Sequence, residues 1–204
     1  MFKNVFVGKN AKNQSERILI FGESHYEESG EINGTADVVE SLAVCGNDAE
    51  KNTEFYKNIM KTFGYNISPE ERVIFWNKVF CGNYVEELCG KGKDNTAKYH
   101  IAENREKYND DLFRFVNENE IDVVFCFSRL VYNSLPCFTK GENEMKLVEH
   151  PQQYLNKFTY LPKCHHKKCT VQLRKRLTVY GLKHPSSYYN SELYYEAIKK
   201  EINI

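Results

Sequence analysis

The sequence predicts an α/β fold: three α/β/α layers around a central, mainly parallel sheet of four strands. Four short apolar runs, rich in β-branched and aromatic residues, have the length and composition of buried strands: Ile18–Phe21, Val73–Phe80, Val123–Phe127 and Leu177–Leu182. Segments with helical apolar spacing lie between them. Strands alternating with helices imply parallel pairing, with right-handed crossovers placing helices on both faces of the sheet. The chain has 204 residues, 41% hydrophobic and 27% charged, a size and composition suited to one buried core, so a single domain over 1–204 is expected.

The N-terminal stretch MFKNVFVGKNAKNQSE lacks the apolar segment of a signal peptide. No run approaches the roughly 18 apolar residues of a membrane span. A cytoplasmic protein without membrane association is expected, its seven irregularly spaced cysteines reduced. After the first strand, GESHYEESGEINGTAD is turn-like, with Gly30 and Gly34. Asp48 can cap a helix that carries Phe55, Ile59 and Phe63 on one face, and Gly64 is placed to end it. Residues 99–118 carry Tyr108, Leu112, Phe115 and Val116 at helical spacing. Ser128 can cap a short helix through Leu135, stopped by Pro136. The connection at 138–176 is long and predicts a basic insertion of hairpins or loops. Ser191 opens a last helix with Leu193, Tyr194, Ala197 and Ile198 on its apolar side.

Formal net charge is zero, but its distribution is uneven. Residues 150–191 contain eight Lys and Arg, no Asp or Glu, and four of the six histidines, giving +8 against −8 for the rest. Such a segment is the electrostatic footprint of a protein that meets phosphate.

In an open α/β sheet, ligands bind at the carboxyl edge of the parallel strands. That edge gathers GESHY after the first strand, Asn77 in the second, Ser128 after the third and KHPSS after the fourth. Three chemistries compete in the sequence. Gly22-Glu23-Ser24-His25-Tyr26 partly matches a nucleophile elbow, and Ser24, Asp122 and His184 stand in a chain order that suits a hydrolase triad. Tyr26 replaces the glycine that lets an elbow turn sharply, which makes a serine hydrolase the weakest reading. CHHKKC (Cys164, His165, His166, Cys169), with Cys137 upstream, contains zinc-ligand types, but its spacing matches no standard finger. A loop rich in these residues, with no metal, is expected. In KHPSS, Pro185 biases His184 toward extended backbone, while Ser186 and Ser187 can offer hydroxyls and N–H groups to a phosphate.

The ordered set of GESHY, VIFWNKVF, DVVFCFSRLVYNSLP and HPSS resembles the uracil-DNA glycosylase superfamily. The resemblance covers most of 17–140 and 177–200 in short motifs. It implies a uracil-DNA glycosylase-like fold that hydrolyses the N-glycosidic bond of uracil, or of a modified base flipped out of DNA. It further implies Glu23 and His184 as catalytic residues: Glu23 stabilises the sugar cation and orients water, and His184 donates to the departing base. Gly22, Ser24, Tyr26 and Asn77 would surround that base, Asn77 reading its Watson–Crick edge and Tyr26 walling the pocket. Ser186, Ser187, Tyr188, Arg174, Arg176 and Lys183 would contact single- or double-stranded DNA, and Tyr188 or Tyr189 would fill the gap left by the flipped nucleotide. Ser24 stands where one branch of the superfamily carries a water-activating aspartate, and His25 replaces a proline. The early cysteine pair of the iron–sulfur branches is absent, so Cys81 and Cys89 imply no cluster and no cofactor is expected. A non-catalytic module that binds nucleic acid or a nucleotide on the same fold is the alternative.

Overall fold

A computed structural model describes residues 2, 4–26, 34–44, 53–89, 96–138, 155–185 and 188–202. It is an α/β protein with a six-stranded, mostly parallel sheet and, among the described residues, six helices. The main-sheet strands are β1 (Phe6–Val7), β2 (Ile18–Tyr26), β3 (Phe80–Cys89), β4 (Val123–Cys126), β6 (Asn156–Tyr160) and β8 (Leu177–Gly181), in the order β1-β3-β2-β4-β8-β6. Two-residue strands β5 (Cys137–Phe138) and β7 (His166–Lys167) form a separate antiparallel pair. β3, β2, β4 and β8 are mutually parallel; β1 and β6 add antiparallel edges.

The four-strand expectation therefore describes the parallel centre, with one strand misplaced. Residues 69–76 are helix α3 (Pro69–Trp76), and the second parallel strand begins only at Phe80. The local chemistry favours the helix. Ser68 Oγ accepts from Glu71 N at 3.3 Å, Pro69 occupies the first turn, and Glu70 and Glu71 complement the N-terminal dipole. Phe75 and Trp76 are buried whereas Val73 and Ile74 stand 43% and 45% exposed, so the run has one wet face. Part of the expected insertion also belongs to the main sheet, because β6 pairs with β8 from Asn156↔Gly181 to Tyr160↔Leu177.

The remaining helices are α1 (Thr35–Val38, continuing as a π turn through Val44), α2 (Thr53–Thr62), α4 (Ala97–Asn119), α5 (Arg129–Ser134) and α6 (Ser191–Ile198). The Asp48 cap lies outside the described residues. Gly64 ends the α2 segment at φ +79°, a conformation that favours glycine. α6 opens at Ser191 as expected, capped by Asn190, whose side chain accepts from Leu193 N at 3.2 Å.

Period-two alternation sends each parallel strand into two cores. Leu19 and Phe21 of β2, Val124 and Cys126 of β4, and Leu177 and Val179 of β8 pack with Leu112, Phe113 and Val116 of α4 and Val131 of α5. Ile20, Val123, Phe125 and Tyr180 pack on the opposite face with Ile59 of α2, Trp76 of α3 and Ala197 and Ile198 of α6. Ring contacts tie that second face together, such as Phe125 stacked on Tyr180 at 4.8 Å and edge-on to Phe63 at 4.9 Å. Burying one such side chain contributes about 1.5–3 kcal/mol.

This order makes β2 the switch point. The chain leaves β2 to β3 on one side and later returns to β4 on the other, which opens a crevice at the carboxyl ends of β2 and β4.

Candidate functional site

Glu23 and Ser128 meet at that crevice. Glu23 lies two residues beyond Phe21, the last β2 residue paired with β4 (Phe21↔Cys126). Phe127 N donates to Phe21 O at 2.8 Å and carries the chain to Ser128, which turns into α5. Ser128 Oγ donates to Glu23 Oε2 at 2.8 Å and accepts from Val131 N at 3.3 Å.

His184 reaches the same edge from β8. Leu182 N donates to Cys126 O at 2.8 Å, which extends the β4–β8 ladder toward it. Its ring packs on Phe55 of α2 at 5.1 Å, and Asn58 Nδ2 donates to Pro185 O at 2.9 Å. Burial pushes the imidazole below its ordinary value, while the negative charge of Glu23 acts in the opposite direction. The two expected catalytic side chains therefore feel one another across the sheet edge, Glu23 from the α5 face and His184 from the α2 face.

Asn77 does not join them. It caps α3 at its C-terminus, its carbonyl accepting from Asn10 N at 2.8 Å, three residues before β3 begins at the amino edge. The base-reading expectation placed it on a strand that is in fact helix and turn. The asparagine beside the site is Asn83, paired with Gly22 across β2 and β3. A Cβ on Gly22 would lie 2.3 Å from Asn83 Oδ1, so the bare glycine lets that amide lie across the strand. The signal was in the sequence: a Ser-Pro-Glu-Glu helix start at 68–71 moves the strand to FCGNYVEELC and places Asn83 early in it.

Ser24 follows on the face of Gly22, and the β2–β3 register shifts just after it. Its Oγ is buried with no hydrogen-bond partner among the described residues. The side chain of Tyr26, and Ser186 and Ser187 entirely, lie outside the described residues. Asp122 takes Arg17 N at 2.9 Å and Lys175 Nζ at 2.6 Å at the amino ends of β2 and β4. Ser24 lies six residues further along β2 than Ile18, about 20 Å at ~3.3 Å per residue. A Ser24–Asp122–His184 triad is therefore divided between opposite edges of the sheet.

The two tyrosines after HPSS differ. Tyr188 is fully exposed at 102%, at φ +42°, with Lys183 Nζ 5.8 Å from its ring centre. Tyr189 turns inward, hydrogen-bonded to Thr62 Oγ1 at 2.7 Å and stacked on Tyr194 at 4.8 Å. Tyr194 Oη accepts from Lys183 N at 3.1 Å, so α2 and α6 together clamp this loop.

The basic segment is not one stripe. Lys183 stands at the carboxyl edge, whereas Arg174 and Arg176 precede β8 at the amino edge, and β8 alone separates the two ends by about 16 Å at ~3.3 Å per residue. Lys175 is engaged by Glu120 O and Asp122, and Lys157 by Glu201.

CHHKKC is drawn into the fold's own packing. His166 is buried between the rings of Phe113 (5.8 Å) and Tyr160 (5.0 Å), and His165 lies against Gln172 Nε2 at 2.9 Å. The Cys169 thiol is pushed up to about 12, first by burial and then by its hydrogen bond to Asp110. Among the described residues no group of three or more His, Cys, Asp or Glu is placed to hold a metal ion. None of the described helices is long and apolar enough to cross a membrane.

The arrangement joins a carboxylate held by a hydroxyl, an imidazole whose protonation burial disfavours, and an amide with one donor and one acceptor face. Such a set can stabilise a cation on one side of a bond and an anion on the other. The sequence matches no protein-family model and no curated protein, so the assignment of chemistry rests on this geometry and on the motifs that compose it.

Proposed function

We propose that the chain is a DNA glycosylase of uracil-DNA glycosylase-like fold that hydrolyses the N-glycosidic bond of uracil, or of a modified base, extruded from DNA. The observation that carries this reading is the convergence of Glu23 and His184 at the β2/β4 switch point, with the Asn83 amide alongside. As the C1′–N bond breaks, its electron pair leaves with the base and positive charge develops on the sugar. The Glu23 carboxylate stabilises that cation and orients the water that adds to C1′, accepting its proton, which then passes to the departed base anion. A neutral His184 imidazole donates a hydrogen bond to the base oxygen where negative charge collects. Asn83, in place of Asn77, reads the base edge with one donor and one acceptor. Tyr188 is the aromatic available to fill the vacated stack, since Tyr189 is committed to Thr62 and Tyr194.

A specific observation favours a second reading. Ser24, at the position of the water-activating aspartate, has its hydroxyl buried and without a partner among the described residues. A module that binds an extruded base without cutting would use such a hydroxyl as a contact. A base-release assay on DNA carrying uracil, mismatches and modified pyrimidines separates the two. The glycosylase reading expects release by the wild type and its loss in Glu23→Gln. Retained DNA binding with no release from any substrate favours the binding module.

A further inference from the structure

Ser128 has only one hydroxyl proton, and the geometry commits it. The residue is 2% exposed, with extended backbone at φ −160° and ψ 127°, and its Oγ accepts from Val131 N as the N-cap of α5. With that lone pair engaged by the helix, the O–H is directed at Glu23 Oε2 at 2.8 Å. Both ends of the contact are rigidly held. Ser128 follows β4 through the Phe127 N to Phe21 O bond, and Glu23 is inside β2. A glutamate otherwise has three rotatable bonds with which to leave the crevice, and a fixed hydrogen bond removes that freedom before substrate arrives.

We infer that Ser128 is a positioning residue: its hydroxyl, oriented by the start of α5, fixes the Glu23 carboxylate at the β2/β4 crevice. Ser128 touches neither the sugar nor the base in this scheme, and acts through Glu23. The inference deepens the glycosylase reading, and its kinetic arm rests on that reading. Its structural arm does not, because the placement of Glu23 is felt by His184 whether or not a base is cut. The negative charge of Glu23 acts on the His184 ring.

The test follows the His184 imidazole by NMR titration of histidine-labelled protein, with His184→Gln to assign the signal. Glu23→Gln removes the charge that favours the protonated ring, so the His184 midpoint falls. Ser128→Ala lets Glu23 swing away, and the midpoint falls in the same direction. The double variant falls no further than Glu23→Gln alone. Ser128→Thr, which restores the hydroxyl, returns the midpoint to the wild-type value. Ser128→Gly separates donation from capping, since glycine retains most of the N-cap stability yet has no hydroxyl; it behaves as Ser128→Ala does. In the kinetic arm, Ser128→Gly lowers kcat by about tenfold or more with KM unchanged, and Ser128→Thr restores it.

A wild-type midpoint in both Ser128→Ala and Ser128→Gly overturns the inference, as does a midpoint that Glu23→Gln leaves unmoved. Expected midpoints in a protein that releases no base from any substrate overturn the glycosylase reading and leave the positioning role standing.

Discussion

Gly22→Ala and Asn83→Ala should fail in the same way, although one adds a methyl group and the other removes an amide. A Cβ on residue 22 would sit 2.3 Å from Asn83 Oδ1 and 3.5 Å from Asn83 Cγ, while the next nearest atom, Gly82 O, lies at 3.7 Å. The amide alone must move, and it is the free end of a half-buried side chain, so relief costs little stability. What is lost is its orientation. If Asn83 makes one or two hydrogen bonds to the base at about 1–1.5 kcal/mol each, either substitution lowers kcat/KM by about 5- to 150-fold. The double variant should be little worse than either single one, because both remove the same interaction. Asn77→Ala, at the amino edge, should leave kcat/KM within about twofold, which separates the two asparagines. Single-turnover base release, with thermal unfolding as the control for folding, measures all four. Additive losses in the double variant, or a larger loss in Asn77→Ala than in Asn83→Ala, would refute the reasoning.

Three further outcomes follow from the same geometry. Tyr188→Ala should leave the melting temperature unchanged and weaken binding to duplex containing the target base, whereas Tyr189→Phe should cost about 1 kcal/mol of stability through the lost Thr62 hydrogen bond and leave binding intact. Charge reversal at Arg174 and Arg176 should leave duplex affinity and its salt slope unchanged, while Lys183→Glu at the carboxyl edge lowers both, as read by fluorescence titration at several salt concentrations. Burial holds the folded His184 below its ordinary value, so the unfolded chain binds the proton first: the stability tied to this group is full above about pH 6.5 and declines as pH falls below it. Urea unfolding of the wild type against His184→Phe should show that decline only in the wild type, and a parallel pH dependence in both would exclude His184 as its source.

Much of the fold is legible in the chain because burial and propensity agree. Ile18–Phe21, Val123–Phe127 and Leu177–Leu182 are short, β-branched or aromatic and buried on both faces, and Ser128, Gly64 and Pro136 punctuate helices by their own backbone chemistry. The run VIFW misleads because a short apolar stretch fits a strand or a turn of helix equally well; the Ser68-Pro69-Glu70-Glu71 helix start just before it, and the burial of Phe75 and Trp76 with Val73 and Ile74 out, decide for the helix. That one displacement also hid Asn83. The edge strands were illegible for another reason, since β1 has two residues and β6 alternates exposed and buried positions within a segment marked mainly by its charge. Within the site, Glu23 and His184 were readable from their motifs. Ser128 was placed at the same edge, but its bond to Glu23 was not legible, nor were Phe55 and Asn58, because these contacts join segments more than 100 residues apart. Charge along the chain likewise did not show how its cations are distributed in space, since β8 runs from one edge of the sheet to the other and carries Arg174 and Lys183 to opposite ends.

In the proposed reaction Glu23, at the β2/β4 crevice, drives hydrolysis of an N-glycosidic bond. Single-turnover release of uracil or a modified pyrimidine from a DNA duplex, comparing the wild type with Glu23→Gln at equal DNA occupancy, tests it most directly. Base release by the wild type and a fall of about a hundredfold or more in the variant, with DNA affinity preserved, are expected. Equal rates in the two proteins, or no release by the wild type from any substrate it binds, would contradict it.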